Sequence, residues 1–217
     1  AADIEAFDAL YKTTILGRSV FNIAVKPEQI YREGISRINA LDFSAADKLG
    51  YVIKLLSIGQ KISRDKFDLR CHPALLKKSN LLASVKDVFN ACQLSGDYVG
   101  DLLLYGRGAG SLPTASAVVS DIVRCIREQK TKRIELPLTA TYHIQSLDEL
   151  KTCYYLRFKS SQINLLKEKL IKLKIPLKKS FLMKGYSILE TDVIKEIQLK
   201  KALKQLNLES FFLRVVN

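Results

Sequence analysis

Cys153-Tyr154-Tyr155-Leu156-Arg157-Phe158 is a strand-like run, and the stretch from Ile163 to Lys174 that follows it carries Leu165, Leu166, Leu170 and Leu173 at helical spacing. Next come Ser180-Phe181-Leu182-Met183, a Lys184-Gly185 turn signal and the run Tyr186-Ser187-Ile188-Leu189, which together read as a hairpin. A second helical pattern, Ile197, Leu199, Leu203 and Leu206, leads into Phe211-Phe212-Leu213-Arg214-Val215-Val216. The order is βαββαβ, the split βαβ or ferredoxin-like unit, and it is expected over residues 151–217. Residues 129–150, with Gln129-Lys130-Thr131-Lys132-Arg133 followed by Leu136-Pro137-Leu138, read as the linker in front of it.

Working back toward the N-terminus, the pattern changes. Glu5 to Phe21 is expected to be a helix with Asp3 as its N-cap and with Ile4, Phe7, Leu10, Tyr11 and Ile15 on its apolar side. A short helix is expected around Ser44 to Leu49, then strands at Tyr51 to Ile58, Phe67 to Cys71, Val88 to Leu94 and Val99 to Tyr105. The last runs into Gly106-Arg107-Gly108-Ala109-Gly110-Ser111-Leu112-Pro113, after which Thr114 to Arg127 is helical again. Helices beside several adjacent strands make residues 1–128 an α+β layer with a mixed sheet, not an alternating parallel one.

Composition bounds the class. The chain has 217 residues, 47% hydrophobic and 26% charged, so it can bury a core, and no low-complexity tract argues for disorder. No apolar run approaches the roughly 18 residues of a membrane span, and Ala1-Ala2-Asp3-Ile4-Glu5 does not begin a secretion signal. Cys71, Cys92, Cys125 and Cys153 stand far apart without a CxxC pair, which suits reduced thiols in the cytoplasm and gives no metal-ligand spacing. The chain opens without Met inside a helical pattern, so it is expected to be a piece of something longer.

The net charge is +13, and from Lys151 onward 15 Lys and Arg stand against 5 Asp and Glu. Such a tail is either a solvated lysine-rich surface or a patch for polyanions. Lys184-Gly185-Tyr186-Ser187-Ile188-Leu189 resembles the RNA-recognition motif, with Tyr154 and Tyr155 on the first strand. The positions where that motif stacks bases hold Ile188 and Thr191, so no nucleic-acid partner is expected.

Two further groupings are candidates for chemistry. Asp8 and Lys12, four apart, share one helix face; this is the favourable order for a surface pair, and equally the order of a lysine poised beside a carboxylate for proton transfer. Gly106, Gly108 and Gly110 make either a tight turn or a loop whose backbone a ligand can approach, ahead of a helix N-terminus. They are not a dinucleotide fingerprint, because the third glycine of G-x-G-x-x-G comes one residue early.

A family resemblance joins these pieces. Val88-Phe89-Asn90-Ala91 and the run Gly96-Asp97-Tyr98-Val99-Gly100-Asp101-Leu102-Leu103-Leu104-Tyr105-Gly106-Arg107-Gly108-Ala109-Gly110-Ser111-Leu112-Pro113-Thr114-Ala115-Ser116-Ala117-Val118 resemble the C-terminal half of homoserine dehydrogenase. So do Asp3-Ile4-Glu5-Ala6-Phe7-Asp8-Ala9-Leu10-Tyr11-Lys12, Tyr31-Arg32-Glu33-Gly34-Ile35, Leu49-Gly50-Tyr51-Val52-Ile53-Lys54-Leu55-Leu56 and His72-Pro73, in family order over residues 1 to about 128.

The resemblance implies an oxidoreductase that interconverts aspartate semialdehyde and homoserine with NAD or NADP, in the biosynthesis of threonine and methionine. It assigns Lys12 as the catalytic proton donor, Asp8 as the carboxylate beside it and Asp3 as a substrate-binding carboxylate. Gly108 and Gly110 take the contact where cofactor and substrate meet. The family's nucleotide-binding Rossmann domain lies outside the matching stretch, so the chain is expected to hold half an active site and to be inactive alone.

In the family the βαββαβ tail is an ACT domain, which can take an amino-acid effector. Here Lys159-Ser160-Ser161-Gln162-Ile163-Asn164 lacks the usual Asp and Gly before the first helix. A homodimer or higher homo-oligomer is expected through strands between Tyr51 and Tyr105, whose consecutive apolar residues need both sheet faces covered. The alternative is a non-catalytic binding or assembly module whose basic ferredoxin-like tail recruits an acidic partner.

Overall fold

The computed structural model describes residues 3–128 and 138–216. Helix α1 (Phe7–Phe21) is followed by strand β1 (Tyr31–Arg32), helix α2 (Ala40–Leu49) and the long hairpin of β2 (Tyr51–Lys61) and β3 (Lys66–Lys77). Strands β4 (Phe89–Gly96) and β5 (Gly100–Arg107) lead to helix α3 (Ser111–Glu128). Then come β6 (His143–Ile144), β7 (Lys151–Thr152), β8 (Tyr154–Phe158), α4 (Ile163–Lys172), β9 (Leu177–Met183), β10 (Tyr186–Thr191), β11 (Ile194–Lys195), α5 (Glu196–Leu206) and β12 (Ser210–Val216).

The chain forms two compact units, one of Ala1–Lys78 with Pro137–Asn217 and the other of Ser79–Leu136. The units therefore do not part at the boundaries expected from sequence, 128 and 151. Within the first unit β9, β10, β8 and β12 lie side by side as an antiparallel ferredoxin-like sheet, joined by helices α4 and α5 in the βαββαβ order. This sheet does not stop at β12, because Arg214 to Val216 pair in parallel with Ala74 to Leu76 of β3 and make one eight-stranded sheet.

Strand β3 is the spine. Along one edge it pairs with β2 from Tyr51↔Lys77 to Lys61↔Phe67. Along the other it meets β6 at Lys66 and Phe67, β1 at Arg70 and Cys71, and β12 from Ala74. The sequence suggested a strand ending at Cys71, before Pro73. Pro73 is accommodated because it stands in the gap between β1 and β12, where no ladder bond is required of its missing N–H. Of the expected linker 129–150, residues 129–137 lie outside the described residues; Thr139 bridges Ile23, β6 joins the sheet and Leu147–Glu149 form a 3-10 turn.

Period-2 alternation decides which residue faces which helix. Tyr154, Leu156 and Phe158 of β8 pack with Leu166 and Leu170 of α4 and Leu199 and Ala202 of α5. Tyr155 points the other way, into a core with Leu75, Ile188, Phe211 and Ala45, Ala46 and Leu49 of α2. The second face of the ferredoxin-like sheet is thus covered by a helix from the N-terminal part of the same unit. Asn39 caps α2 by accepting from the Leu41 and Asp42 amides while Asp42 returns a bond to Asn39 N–H; this capping box starts the helix at Ala40, four residues before the expected Ser44. The buried Asp42 also accepts from the Tyr155 hydroxyl at 2.8 Å and pairs with Arg157. Burial, with Asp42 adding to it, raises the Tyr155 phenol, which therefore stays a donor.

Helix α1 corrects the expectation most. It starts at Phe7 behind Ala6 in a left-handed conformation, with no side-chain cap, so Asp3 is not the N-cap. Its buried face is Leu10, Thr13, Thr14 and Gly17, whereas Ile4, Phe7, Tyr11 and Ile15 are exposed. Thr13 and Thr14 are tolerated inside because their hydroxyls bond back to the Ala9 and Leu10 carbonyls at 2.7 and 2.9 Å. The helix lies close on β3 at Gly17, where a Cβ would come within 3.1 Å of the Leu69 side chain and 3.3 Å of that of Val25.

Candidate active site

Helix α1 carries Asp8 and Lys12. Lys12 Nζ lies 2.6 Å from Asp8 Oδ2, and the two side chains are 61% and 51% exposed. At 100° per residue they stand at the centre of the helix face opposite the buried stripe, flanked by the exposed Tyr11, Ile15 and Leu16. A bare surface pair of this kind contributes only about 0.3 to 0.5 kcal/mol. Set among apolar side chains, however, it would be desolvated by anything laid over this face, which is the environment a proton-transfer lysine needs.

Asp3 is exposed in the turn that precedes the helix, where its carbonyl accepts from the Ala6 amide at 3.1 Å. The start of α1 is framed by residues 31–35. Arg32 stacks 3.8 Å from the centre of the Phe7 ring, donates to the Glu5 carbonyl and pairs with the Glu5 carboxylate. The Ile35 amide donates to the Ile4 carbonyl at 2.8 Å. Gly34 allows this approach, since a Cβ on it would stand 2.6 Å from Ile4 O and 2.9 Å from Glu5 Cα. Behind the turn Cys71 is buried against the Ala6 carbonyl, and burial pushes its thiol up to about 11. Sequence reading singled out Tyr31 to Ile35 only by resemblance; the one local signal of a framing role was Gly34 itself.

A first prediction follows from that contact. Gly34→Ala should destabilise the chain by about 1 to 3 kcal/mol, because the obstacle is backbone and the turn must move as a body. Thermal unfolding measures it, and an unchanged melting temperature would show that residues 3–6 yield freely.

The glycine loop belongs to the second compact unit. The Gly108 amide donates to Val88 O at 3.1 Å, and a Cβ on Gly108 would run into the Asn90 side chain. Gly110 has φ +122°, outside the range of ordinary L residues, and its carbonyl accepts from the Thr114 amide and hydroxyl in the first turn of α3. Both glycines thus have local reasons to be glycine, while the loop backbone stays exposed to a ligand.

The structure brings Asp8 and Lys12 together and places Asp3 at the head of the same helix. A cleft of about 550 Å3 elsewhere in the first unit, lined by Arg32, Asp68, Arg70, Gln145, Asp148 and Lys200, includes none of the three. His72 is also apart from them; burial, reinforced by Arg214, pushes its pKa down to about 3, so the ring is neutral at neutral pH. Among the described residues no cluster of His, Cys, Asp or Glu is suited to a metal ion.

The homoserine dehydrogenase family model matches residues 1–123. The homoserine dehydrogenase of Neisseria gonorrhoeae is 40% identical over 163 residues, 71% of this chain and 37% of that protein. That of Pseudomonas aeruginosa is 37% identical over 166 residues, 73% of this chain and 38% of that protein. The chain therefore spans well under half the length of these relatives. The crystal structure of a homoserine dehydrogenase from Thiobacillus denitrificans superposes over the whole chain with a TM-score of 0.87 and 33% identity, using 54% of that protein. The Staphylococcus aureus enzyme gives 0.78 at 28% identity, again over the whole chain and 55% of its own. With the family model matching more than half of its residues, and the fold shared from end to end, this chain belongs to the homoserine dehydrogenase family.

Proposed function

We propose that this chain supplies the substrate and assembly part of an NAD- or NADP-dependent homoserine dehydrogenase, the oxidoreductase that interconverts L-aspartate 4-semialdehyde and L-homoserine on the way to threonine and methionine. The observation that carries the reading is the Asp8–Lys12 pair on the exposed, partly apolar face of α1 within a family-matched stretch. The family match also favours it over a non-catalytic assembly module.

When bound, the nicotinamide cofactor exchanges hydride with the substrate carbon. Gly108 and Gly110 suit a contact with it, because their loop is exposed and presents backbone; they do not make a dinucleotide site, since no G-x-G-x-x-G turn follows β5. Lys12 gives its proton to the carbonyl oxygen as charge develops there, and in the reverse direction takes it from the homoserine hydroxyl. Asp8 holds the ammonium in place, and Asp3 accepts from the substrate's α-ammonium group. The cofactor's main site is assigned to the family's nucleotide-binding domain.

The assay is homoserine oxidation read as cofactor reduction. The 217-residue chain alone should show none, and the chain joined to a family nucleotide-binding domain should show it. Turnover by the chain alone would refute the division of labour; silence of the joined protein towards homoserine would refute the substrate.

The ferredoxin-like tail is proposed to be an ACT-like regulatory domain for an amino-acid effector, supported by its strand order β12-β8-β10-β9. On this proposal residues 1–128 and 151–217 are the catalytic and regulatory segments, working in the cytoplasm. No helix among the described residues is long and apolar enough to cross a membrane, and all four cysteines are unpaired. Assembly as at least a homodimer is supported by β5, where Leu102, Leu103, Leu104 and Tyr105 are all exposed in a two-stranded sheet that cannot cover itself. Light scattering at micromolar concentration should give at least twice 24.5 kDa, and a folded monomer would overturn it.

A further inference from the structure

Arg214 is 1% exposed and stands on β12, where the ferredoxin-like sheet joins β3. Its guanidinium makes a bidentate pair with the buried Glu196 at the start of α5, Nε to Oε2 at 2.6 Å and Nη2 to Oε1 at 2.8 Å. Lys200 adds a second cation 3.1 Å from Glu196. The charge of Arg214 is satisfied by that pair alone. Yet its remaining nitrogen, Nη1, donates to Glu33 Oε2 at 2.7 Å, and the Tyr31 hydroxyl donates to the same oxygen at 2.9 Å.

A second carboxylate on an arginine that is already neutralised adds little to stability, since its own desolvation offsets most of the attraction. What it does is geometric. Glu33 is tied through its amide to Cys71 O at 2.9 Å, and it is followed at once by Gly34, against Ile4 O, and Ile35, bonded to Ile4 O. Three consecutive residues therefore connect the arginine of the tail to the turn that holds Asp3 and begins α1.

We propose that Glu33, gripped by Arg214, is a positioning residue that fixes the turn carrying Asp3, so that the ferredoxin-like tail sets substrate affinity at the homoserine site. This rests on the function proposed above. Loss of the grip lets residues 3–6 and the 31–35 segment drift together, which misplaces the carboxylate facing the substrate ammonium and leaves the proton-donating geometry at Lys12 on the well-packed body of α1.

The test uses Glu33→Ala and Glu33→Gln in the chain joined to a family nucleotide-binding domain; neither leaves a buried charge unpaired, because Arg214 keeps Glu196. Glu33→Ala should raise KM for homoserine about tenfold with kcat within about twofold and KM for the cofactor unchanged. Glu33→Gln, which still accepts from Arg214, should recover to within about threefold of the parent. An unchanged homoserine KM, or a loss of kcat, cofactor affinity and melting temperature together, would overturn the proposal in favour of a purely structural role. Hydrogen exchange at the Ile35 amide reads the same grip without turnover: protection should fall in Glu33→Ala, and retained protection refutes the positioning role. A parent protein inactive on homoserine would instead overturn the proposed substrate.

Discussion

Lys12→Ala in the joined enzyme should lower kcat by about 10²- to 10⁴-fold, the usual contribution of a positioned proton donor, and leave the fold intact. The stability side follows from geometry: the side chain is 61% exposed and pairs with Asp8, and such an exposed ion pair contributes well under 1 kcal/mol. The rate side follows from charge, because an alkoxide forming in a water-poor site needs a cation and a proton at the same point. Lys12→Arg separates the two roles. An arginine keeps the positive charge but does not surrender a proton near neutral pH, so it should remain far below the parent rate. Steady-state kinetics with circular dichroism on the same samples decides it, and near-parental turnover in Lys12→Ala would return the pair to surface decoration.

Arg214→Met should destabilise the first unit by about 3 to 5 kcal/mol, because it leaves Glu196, fully buried, facing an apolar side chain. The half-exposed Lys200 partner places the expectation at the lower end of that range. Adding Glu196→Leu should restore most of the loss, since removing both members of a buried pair costs far less than removing one. Denaturant unfolding of both variants is the measurement. Equal losses in the single and double variants would show that Arg214 acts through packing on Tyr31 and Phe212 instead of through its charge.

The βαββαβ tail was legible in the sequence because strand and helix periods are local: Leu166 and Leu170 repeat at helical spacing, and β8 alternates Tyr154, Leu156 and Phe158 against Tyr155 and Arg157. The Asp8–Lys12 pair was legible for the same reason, since four residues of helix bring the two side chains together wherever the helix sits. The buried face of α1 was not. Apolar Phe7, Tyr11 and Ile15 mark surface that favours cover, but β3 offers its close approach at Gly17, and a glycine beside two threonines carries no hydrophobic signal. Nor could local pattern show that β12 would pair with β3, that α2 would cover the tail's second face, or that His143 and Ile144 would enter the sheet. Arg214 and Glu33 lie 181 positions apart, and their 2.7 Å contact exists only because the parallel register of β12 on β3 carries one to the other. Periodicity fixes what each segment is, because it depends on neighbours along the chain; which segments cover one another depends on contacts between distant residues, and only the tertiary structure decided that.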